Sequence, residues 1–227
     1  VYYYSFNVNR APFTDVRVRR ALAMAIDRVS LVRDVTRAGE LPAYNFTPPG
    51  IGGYVCATHI RYDPAAARTL LAEAGYPGGK GFPKVTLLYN TSENHRLIAE
   101  AIQQQWKENL HIDITLTNEE WKVYLDSMQM HNYQVCRAGL VVDPYDPYLY
   151  LRTFIHGSGY NDTGWSSPEY DRLFQASAQS PDPARRLALD QQMEALLLRD
   201  MPIIPIYFYT NHYLLRTGVK DWSDNLL

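Results

Sequence analysis

The strongest constraint on the fold comes from the middle of the chain, where predicted strands and helices alternate. Residues 84–89, 112–116 and 133–142 have the short apolar or alternating pattern of strands. Helical patterns follow Ser92 and cover residues 119–130. This order of strand, helix, strand, helix and strand is typical of a sheet with helices packed against it, so the sequence predicts an α/β domain.

Further elements are predicted on both sides of this segment. Helices are expected after four caps, which are Thr14 or Asp15, Asp63, Ser167 and Asp182. A proline follows the last three of these caps, as is common in the first turn of a helix. The Gly- and Pro-rich residues 39–60 predict a long loop, and residues 203–210 predict a closing strand.

The composition excludes several classes of protein. The 227 residues are 46% hydrophobic, which is enough for a core without disulfides or metals. Lys and Arg number 22 against 24 Asp and Glu, so a nucleic-acid partner and a polybasic membrane anchor are not expected. No apolar stretch approaches the ~18–20 residues that a membrane-spanning helix needs.

The common motifs of enzymes and cofactor sites are absent from the sequence. It contains no G-x-G-x-x-G, G-x-x-x-x-G-K-[ST], G-x-S-x-G or H-E-x-x-H pattern. The six histidines include no pair at i, i+4 on a predicted helix. We therefore predict no catalytic residues, no metal site and no cofactor. Cys56 and Cys136 are either a disulfide pair or free thiols, and the sequence leaves both readings open.

The most conspicuous polar cluster follows the predicted strand that ends near Val142. Asp143 and Asp146 each precede a proline there, and ligands in α/β sheets bind at the carboxyl ends of strands. A carboxylate at this place can accept a ligand ammonium. Two other readings stay open: Asp143 and Asp146 as a general acid/base pair, or as aspartates that only begin turns. His95 falls in the first turn of its helix, where the helix dipole favours an anion such as a peptide carboxylate.

The chain resembles the family 5 extracytoplasmic solute-binding proteins of ABC importers, and within them the peptide binders. The resemblance rests on segments that occur in the family's order. They are YYYSFN (2–7), APFTDVRVRRAL (11–22), LPAY (41–44), TPP (47–49), YDP (62–64), LLAEAGY (70–76), LLYNTS (87–92), RAG (137–139), SPEYD (167–171) and PIYFY (205–209).

The resemblance implies the fold and domain organisation. It covers the carboxy-terminal part of such a protein, so the chain is expected to be the second lobe of a two-lobe clamshell. That lobe has a periplasmic-binding-protein-like fold, with a mixed sheet flanked by helices. Residues 1–10 are expected to cross the hinge as a strand, residues 11–204 to form the ligand-binding lobe, and residues 205–227 to return across the hinge. The amino-terminal lobe of the same protein is an expected partner.

The resemblance also implies the site residues. Asp143 corresponds to the residue that takes the α-ammonium of a peptide, with Tyr145 beside it. Arg137 and His95 are similar to groups that meet ligand carboxylates, and Tyr209 matches a cleft tyrosine on the closing strand. Gly139 and Leu140 follow Arg137 in the same segment. The excess of tyrosine, 18 against 7 Phe, is interpreted in part as lining of the cleft and hinge.

The implied function is the capture of extended oligopeptides by lobe closure and their delivery to an ABC permease in the inner membrane. Such a protein is periplasmic or a lipoprotein on the cell surface, and it is not an enzyme. Leu140 stands where oligopeptide binders have Trp, and Val141 where they have Cys. Dipeptides, murein peptides or another small solute therefore remain alternative ligands. A hydrolase using Asp143 and Asp146, and an interaction domain without a ligand, are the rival functions.

Overall fold

The computed structural model describes residues 1–142, 146–210 and 214–220. Its helices are α1 (Val16–Met24), α2 (Arg28–Ser30, continued by a π-helical turn over Leu31–Thr36), α3 (Pro64–Glu73), α4 (Glu93–Leu110), α5 (Trp121–Gln129), α6 (Pro147–Leu151), α7 (Pro168–Gln179) and α8 (Pro183–Asp200). Its strands are β1 (Tyr2–Phe6), β2 (Leu41–Pro42), β3 (Val85–Asn90), β4 (Ile114–Glu119), β5 (Val135–Gly139) and β6 (Ile203–Phe208).

The strands of the described residues form one mixed sheet of six strands in the order β2-β6-β1-β5-β3-β4. Strand β3 pairs in parallel with β4 and β5, whereas β1 lies antiparallel between β5 and β6. Tyr2 is opposite Gly139 on one side and Tyr207 on the other. The carboxyl ends of β3, β4, β5 and β6 therefore share one edge of the sheet with the start of β1. This confirms the predicted α/β lobe with a mixed sheet.

Helices cover both faces of the sheet. Alternate side chains of β1 point to opposite faces and pack against different helices. Tyr2 and Tyr4 point into a core formed with α1, α3 and α4, which includes the fully buried Trp106. Tyr3 points to the opposite face, where α6, α7 and α8 pack. On that same face, Tyr124 of α5 packs beside Cys136. Both faces are buried because successive strand residues point to opposite sides of a sheet.

The helix starts follow the predicted caps. The side chains of Asp15, Asp63, Ser167 and Asp182 each accept a hydrogen bond from a backbone N–H in the first turn, at 2.8–3.2 Å. Such bonds satisfy donors that a helix leaves unpaired at its amino end. Ser92 is also an N-cap residue, of α4, but its side chain makes no capping bond. Among the described residues, no helix is both long and apolar enough to cross a bilayer.

The segment 39–60 is a long loop that is anchored to the sheet and to α8. It contains β2, which extends the sheet beside β6, and it is held by the fully buried Glu194 of α8. Glu194 accepts hydrogen bonds from the Phe46 N–H (2.6 Å) and the Thr47 N–H (2.8 Å). The predicted long loop is confirmed over most of the segment, whose regular structure is limited to β2 and a short 3-10 turn over Ile51–Gly53. Nearby Cys56 and the distant Cys136 are both buried free thiols, so they form no disulfide.

Candidate functional site

The candidate site lies at the sheet edge where β3, β5 and β6 end. The structure brings together four of the residues expected from the sequence, Arg137, Gly139, His95 and Tyr209, around the ring of Tyr2. Arg137 and Gly139 belong to the end of β5, and Tyr209 follows the last residue of β6. His95 lies in the first turn of α4, which begins just after β3. An edge formed by strand carboxyl ends is where α/β sheets bind ligands.

Arg137 is a cation that has no acidic partner among the described residues. Its guanidinium lies 4.7 Å above the Tyr2 ring, and its Nη2 donates to the Tyr209 hydroxyl at 3.0 Å. Its Nε is buried and makes no hydrogen bond. None of the ion pairs within the described part of the chain involves Arg137. A guanidinium with an unused donor in a desolvated place is suited to an incoming carboxylate.

Three tyrosines form the floor beneath this arginine. The Tyr2 ring stacks on Tyr207 with centroids 4.7 Å apart, and Tyr209 meets both rings edge-on at 6.4 and 5.5 Å. Burial raises the pKa of Tyr2 and of Tyr207, so both phenols are neutral at neutral pH. Packed rings have little rotamer freedom to lose, so the floor holds the arginine in place before any ligand arrives.

Gly139 leaves room for two site side chains that lie close to it. A Cβ atom at this position would lie 2.5 Å from the Tyr209 hydroxyl oxygen and 3.1 Å from Arg137 Nη2. Both distances are shorter than ordinary van der Waals contacts. Any side chain at position 139 would displace the pair that forms the site.

His95 adds a neutral imidazole beside the arginine. Its Nδ1 lies 3.3 Å from the Tyr2 hydroxyl. Burial, with a smaller contribution from the charge of Arg137, lowers the pKa of His95 to about 4. The imidazole is therefore uncharged at neutral pH, and the positive end of the α4 dipole adds to the field of Arg137. The charge of Arg137, the adjacent His95 ring and the amino end of α4 together favour a bound anion.

A cavity of about 140 Å³ lies at the same edge, on the opposite face of β5. Leu140, another residue expected from the sequence, lines it together with Tyr3, Trp121, Met128, Tyr160 and Asp162. The Tyr124 hydroxyl donates to the Arg137 carbonyl and so joins α5 to the strand end. The sequence pattern did not point to Trp121, Tyr160 or Asp162, because long-range packing brings them here. The only signal in the sequence was the overall excess of tyrosine.

The two expected ammonium-site residues, Asp143 and Tyr145, lie outside the described residues. Asp146 is described, and its carboxylate caps α6 by accepting from the Tyr148 N–H at 3.0 Å. It also forms an ion pair with Arg186 of α8. Both contacts fit the reading of Asp146 as a residue that begins a turn. Within the three described ranges, no group of three or more His, Cys, Asp or Glu is arranged to hold a metal ion.

The chain matches a family of bacterial proteins and two of its relatives in sequence. Residues 1–162 match the model of the bacterial extracellular solute-binding proteins, family 5 (middle). The chain is 35% identical over 97% of its length to the oligopeptide-binding protein OppA of Bacillus subtilis, and 40% identical over 99% to the periplasmic murein peptide-binding protein MppA of Escherichia coli. It spans only 42% and 43% of these two relatives.

A solved structure shares the fold as well as the sequence. Haemophilus influenzae OppA in complex with the peptide RPPGFSPFR superimposes with a TM-score of 0.86 at 34% identity. The match covers 92% of this chain and 42% of that one. The described fold is therefore that of less than half of a larger binding protein of known structure.

Proposed function

The chain belongs to family 5 of the bacterial extracellular solute-binding proteins, and on that premise we propose that it is the peptide-binding lobe of the substrate-binding component of an ABC importer. Its ligand is an extended oligopeptide that is captured when two lobes close around it. It has no catalytic role: it binds and releases its ligand unchanged.

The observation that carries this proposal is the guanidinium of Arg137 on its tyrosine floor, which forms no ion pair with the described residues. Every peptide with a free carboxy terminus supplies a carboxylate for this guanidinium. The unused Nε and the neighbouring Nη are two donors of a planar fork that can bind both carboxylate oxygens. His95 and the amino end of α4 support the same charge from the side. We propose that Tyr209 holds this fork, that Gly139 leaves space for it, and that Leu140 contacts the peptide backbone.

The remaining parts of the proposal concern the whole protein. Residues 1–10 and 205–227 connect residues 11–204 to an amino-terminal lobe across a hinge. Asp143, beside Tyr145, takes the α-ammonium of the peptide. The loaded protein delivers its peptide to a permease in the inner membrane, and it works in the periplasm or as a cell-surface lipoprotein. The names of the relatives support this location, since MppA is a periplasmic protein.

Murein peptides are a second candidate ligand, and the 40% identity to MppA favours them. Dipeptides are a third, supported by the 36% identity to the dipeptide-binding protein DppE of Bacillus subtilis. All three ligand classes carry carboxylates, so the Arg137 site serves each of them. Competition between trialanine, dialanine and a murein tripeptide for the full-length protein ranks the three, and the tightest ligand identifies the class.

Calorimetry on the full-length protein tests the role of Arg137. Trialanine should bind, whereas trialanine amide, which lacks the carboxylate, should bind about 30-fold more weakly or worse. Arg137→Gln should cause the same loss for trialanine and no further loss for the amide. Arg33→Gln removes an exposed arginine paired with Asp34 and is the matched control. Equal binding of acid and amide by the unchanged protein would remove the basis of the proposal.

A further inference from the structure

Strand β6 contains an irregularity that decides which way the tyrosines of the candidate site point. Tyr2 of β1 stands opposite Tyr207 of β6, whereas the next residue, Tyr3, stands opposite Pro205. One step along β1 therefore corresponds to two steps along β6, and Ile206 is the extra residue. A β-bulge of this kind turns every side chain beyond it to the other face of the sheet.

This bulge brings Tyr207 and Tyr209 to the face on which Arg137 lies. Ile204 and Ile206 belong to the core on the α1 side of the sheet, so strict alternation would turn residues 207 and 209 to the opposite face. With the extra residue, Tyr207 lies in the same core as Ile206. The Tyr209 hydroxyl can then accept its hydrogen bond from Arg137, and both rings join the floor of the site.

The bulge is held from the side by Arg28 of α2. Its Nε donates to the Pro205 carbonyl at 2.7 Å. Its Nη1 donates, at 3.1 Å each, to the Ala23 carbonyl in α1 and to the Ile26 carbonyl just beyond that helix. The guanidinium also lies 5.8 Å from the centre of the Tyr44 ring. One side chain therefore joins the end of α1 to the bulged part of β6.

Arg28 is an expensive residue to place where it stands. It is fully buried, and it forms no ion pair with the described residues. Desolvation lowers the pKa of Arg28 to about 10, and the charge of the adjacent Asp27, whose carboxylate caps α2, opposes this shift only in part. An apolar side chain would avoid the cost of burying a charge, but it could not donate to the three carbonyls.

We propose that Arg28 is a positioning residue for the carboxylate of the peptide. Its hydrogen bond to Pro205 holds the bulge, and the bulge keeps Tyr207 and Tyr209 turned toward Arg137. Loss of that bond frees β6 to shift at Pro205, and such a shift displaces the Tyr209 hydroxyl from Arg137 Nη2. The inference rests on the proposed peptide-binding function and names a buried residue outside the site on which the geometry of the site depends.

Calorimetry on the full-length protein measures this role as a ratio, the dissociation constant of trialanine amide divided by that of trialanine. The unchanged protein should give a ratio of about 30 or more. Arg28→Met, an apolar chain of similar length, should lower the ratio below about 5 and leave the affinity for the amide unchanged within about twofold. A ratio that stays near 30 in this variant would overturn the inference, because a residue that only stabilises the fold would not change the preference for the acid.

Arg19→Met is the matched control. Arg19 is also a buried arginine, and it donates to the carbonyls of Phe13, Asp200 and Met201, none of which belongs to β6. Its loss should lower the free energy of unfolding in urea and leave the ratio unchanged within about twofold. An equal fall of the ratio in the two methionine variants would contradict a specific role for Arg28.

Arg28→Lys decides the question if Arg28→Met does not fold. A lysine keeps the positive charge but has a carbon atom at the place of Nε, so the bond to Pro205 is lost. The ratio should fall at least about threefold, and an unchanged ratio would overturn the inference. If the unchanged protein binds trialanine and its amide equally, the proposed function fails. A high ratio that survives both substitutions of Arg28 overturns this inference alone.

Discussion

Replacing the buried Glu194 tests how the segment 39–60 is fixed beside the sheet. This carboxylate is fully buried in α8 and accepts from the Phe46 and Thr47 N–H groups and from the Tyr54 hydroxyl. It also accepts, at 3.4 Å, from the Asn45 side-chain amide, which donates to the Thr47 carbonyl as well. Because β2 lies in the same segment and pairs with Tyr207, the anchor also supports the floor of the candidate site. Glu194→Ala removes the acceptor and leaves three donors without a partner.

The size of the effect follows from these three contacts. Each buried donor that loses its partner costs about 1–3 kcal/mol, and single substitutions that cost more than about 4–5 kcal/mol in total are exceptional. We therefore expect Glu194→Ala to lower the free energy of unfolding by about 3–5 kcal/mol. Glu194→Gln keeps one acceptor oxygen for the two N–H groups, and the Tyr54 hydroxyl can turn to accept from the new amide, so its cost should be about 1–2 kcal/mol.

Urea unfolding, followed by circular dichroism, measures both variants. Glu73→Ala is the matched control, since this exposed residue at the end of α3 makes no side-chain hydrogen bond in the described structure and should change stability by less than about 0.5 kcal/mol. If Glu194→Ala lowers the free energy of unfolding by less than about 1 kcal/mol, the reasoning is refuted. Three buried donors without an acceptor should destabilise the protein by more than that.

Three other predictions concern the sheet edge and α8. Gly139→Ala should weaken trialanine binding by the full-length protein at least about tenfold, because its Cβ displaces the Tyr209 hydroxyl and the Arg137 fork; unchanged affinity in calorimetry would contradict this. The His95 imidazole should titrate near pH 4 by NMR without ligand and at higher pH with trialanine bound, since a carboxylate favours the protonated ring; a pKa near 6.5 without ligand would be inconsistent. Burial raises the pKa of Asp190 to about 6. Above that pH the carboxyl is ionised and its charge opposes folding, whereas below pH 4 it is protonated and does not. Asp190→Asn should therefore raise the unfolding temperature at pH 8 more than at pH 4, and an equal shift at both would refute the assignment.

The sequence predicted the parts of the fold that depend on local signals. Asp63 and Asp182 begin helices because their carboxylates can reach N–H groups two or three residues ahead. Strand ends were less accurate: the predicted strand 133–142 extends only over Val135–Gly139, where its register with β1 ends. The long loop over 39–60 was predicted, but its anchoring was not, because the anchor is Glu194, which no local pattern connects to it.

The candidate site was predictable only in part. Arg137 and Tyr209 were predicted from the resemblance to a family, and His95 also from its place in the first turn of a helix, but nothing in their spacing shows that the three meet. Tyr2 becomes the floor of the site because its register opposite Gly139 and Tyr207 places it there, and strand register is a long-range property. Asp162 was not predicted at all, because hydrogen bonds at Tyr133 and Val8 hold its loop against distant parts of the chain.

A crystal structure of the full-length protein with trialanine tests the central claim most directly. The claim predicts that the peptide lies across the sheet edge formed by the carboxyl ends of the strands. A carboxylate oxygen of the peptide should lie about 2.9 Å from Arg137 Nε, which makes no hydrogen bond in the structure without ligand. A peptide bound elsewhere, with Arg137 Nε still lacking an acceptor, would contradict it.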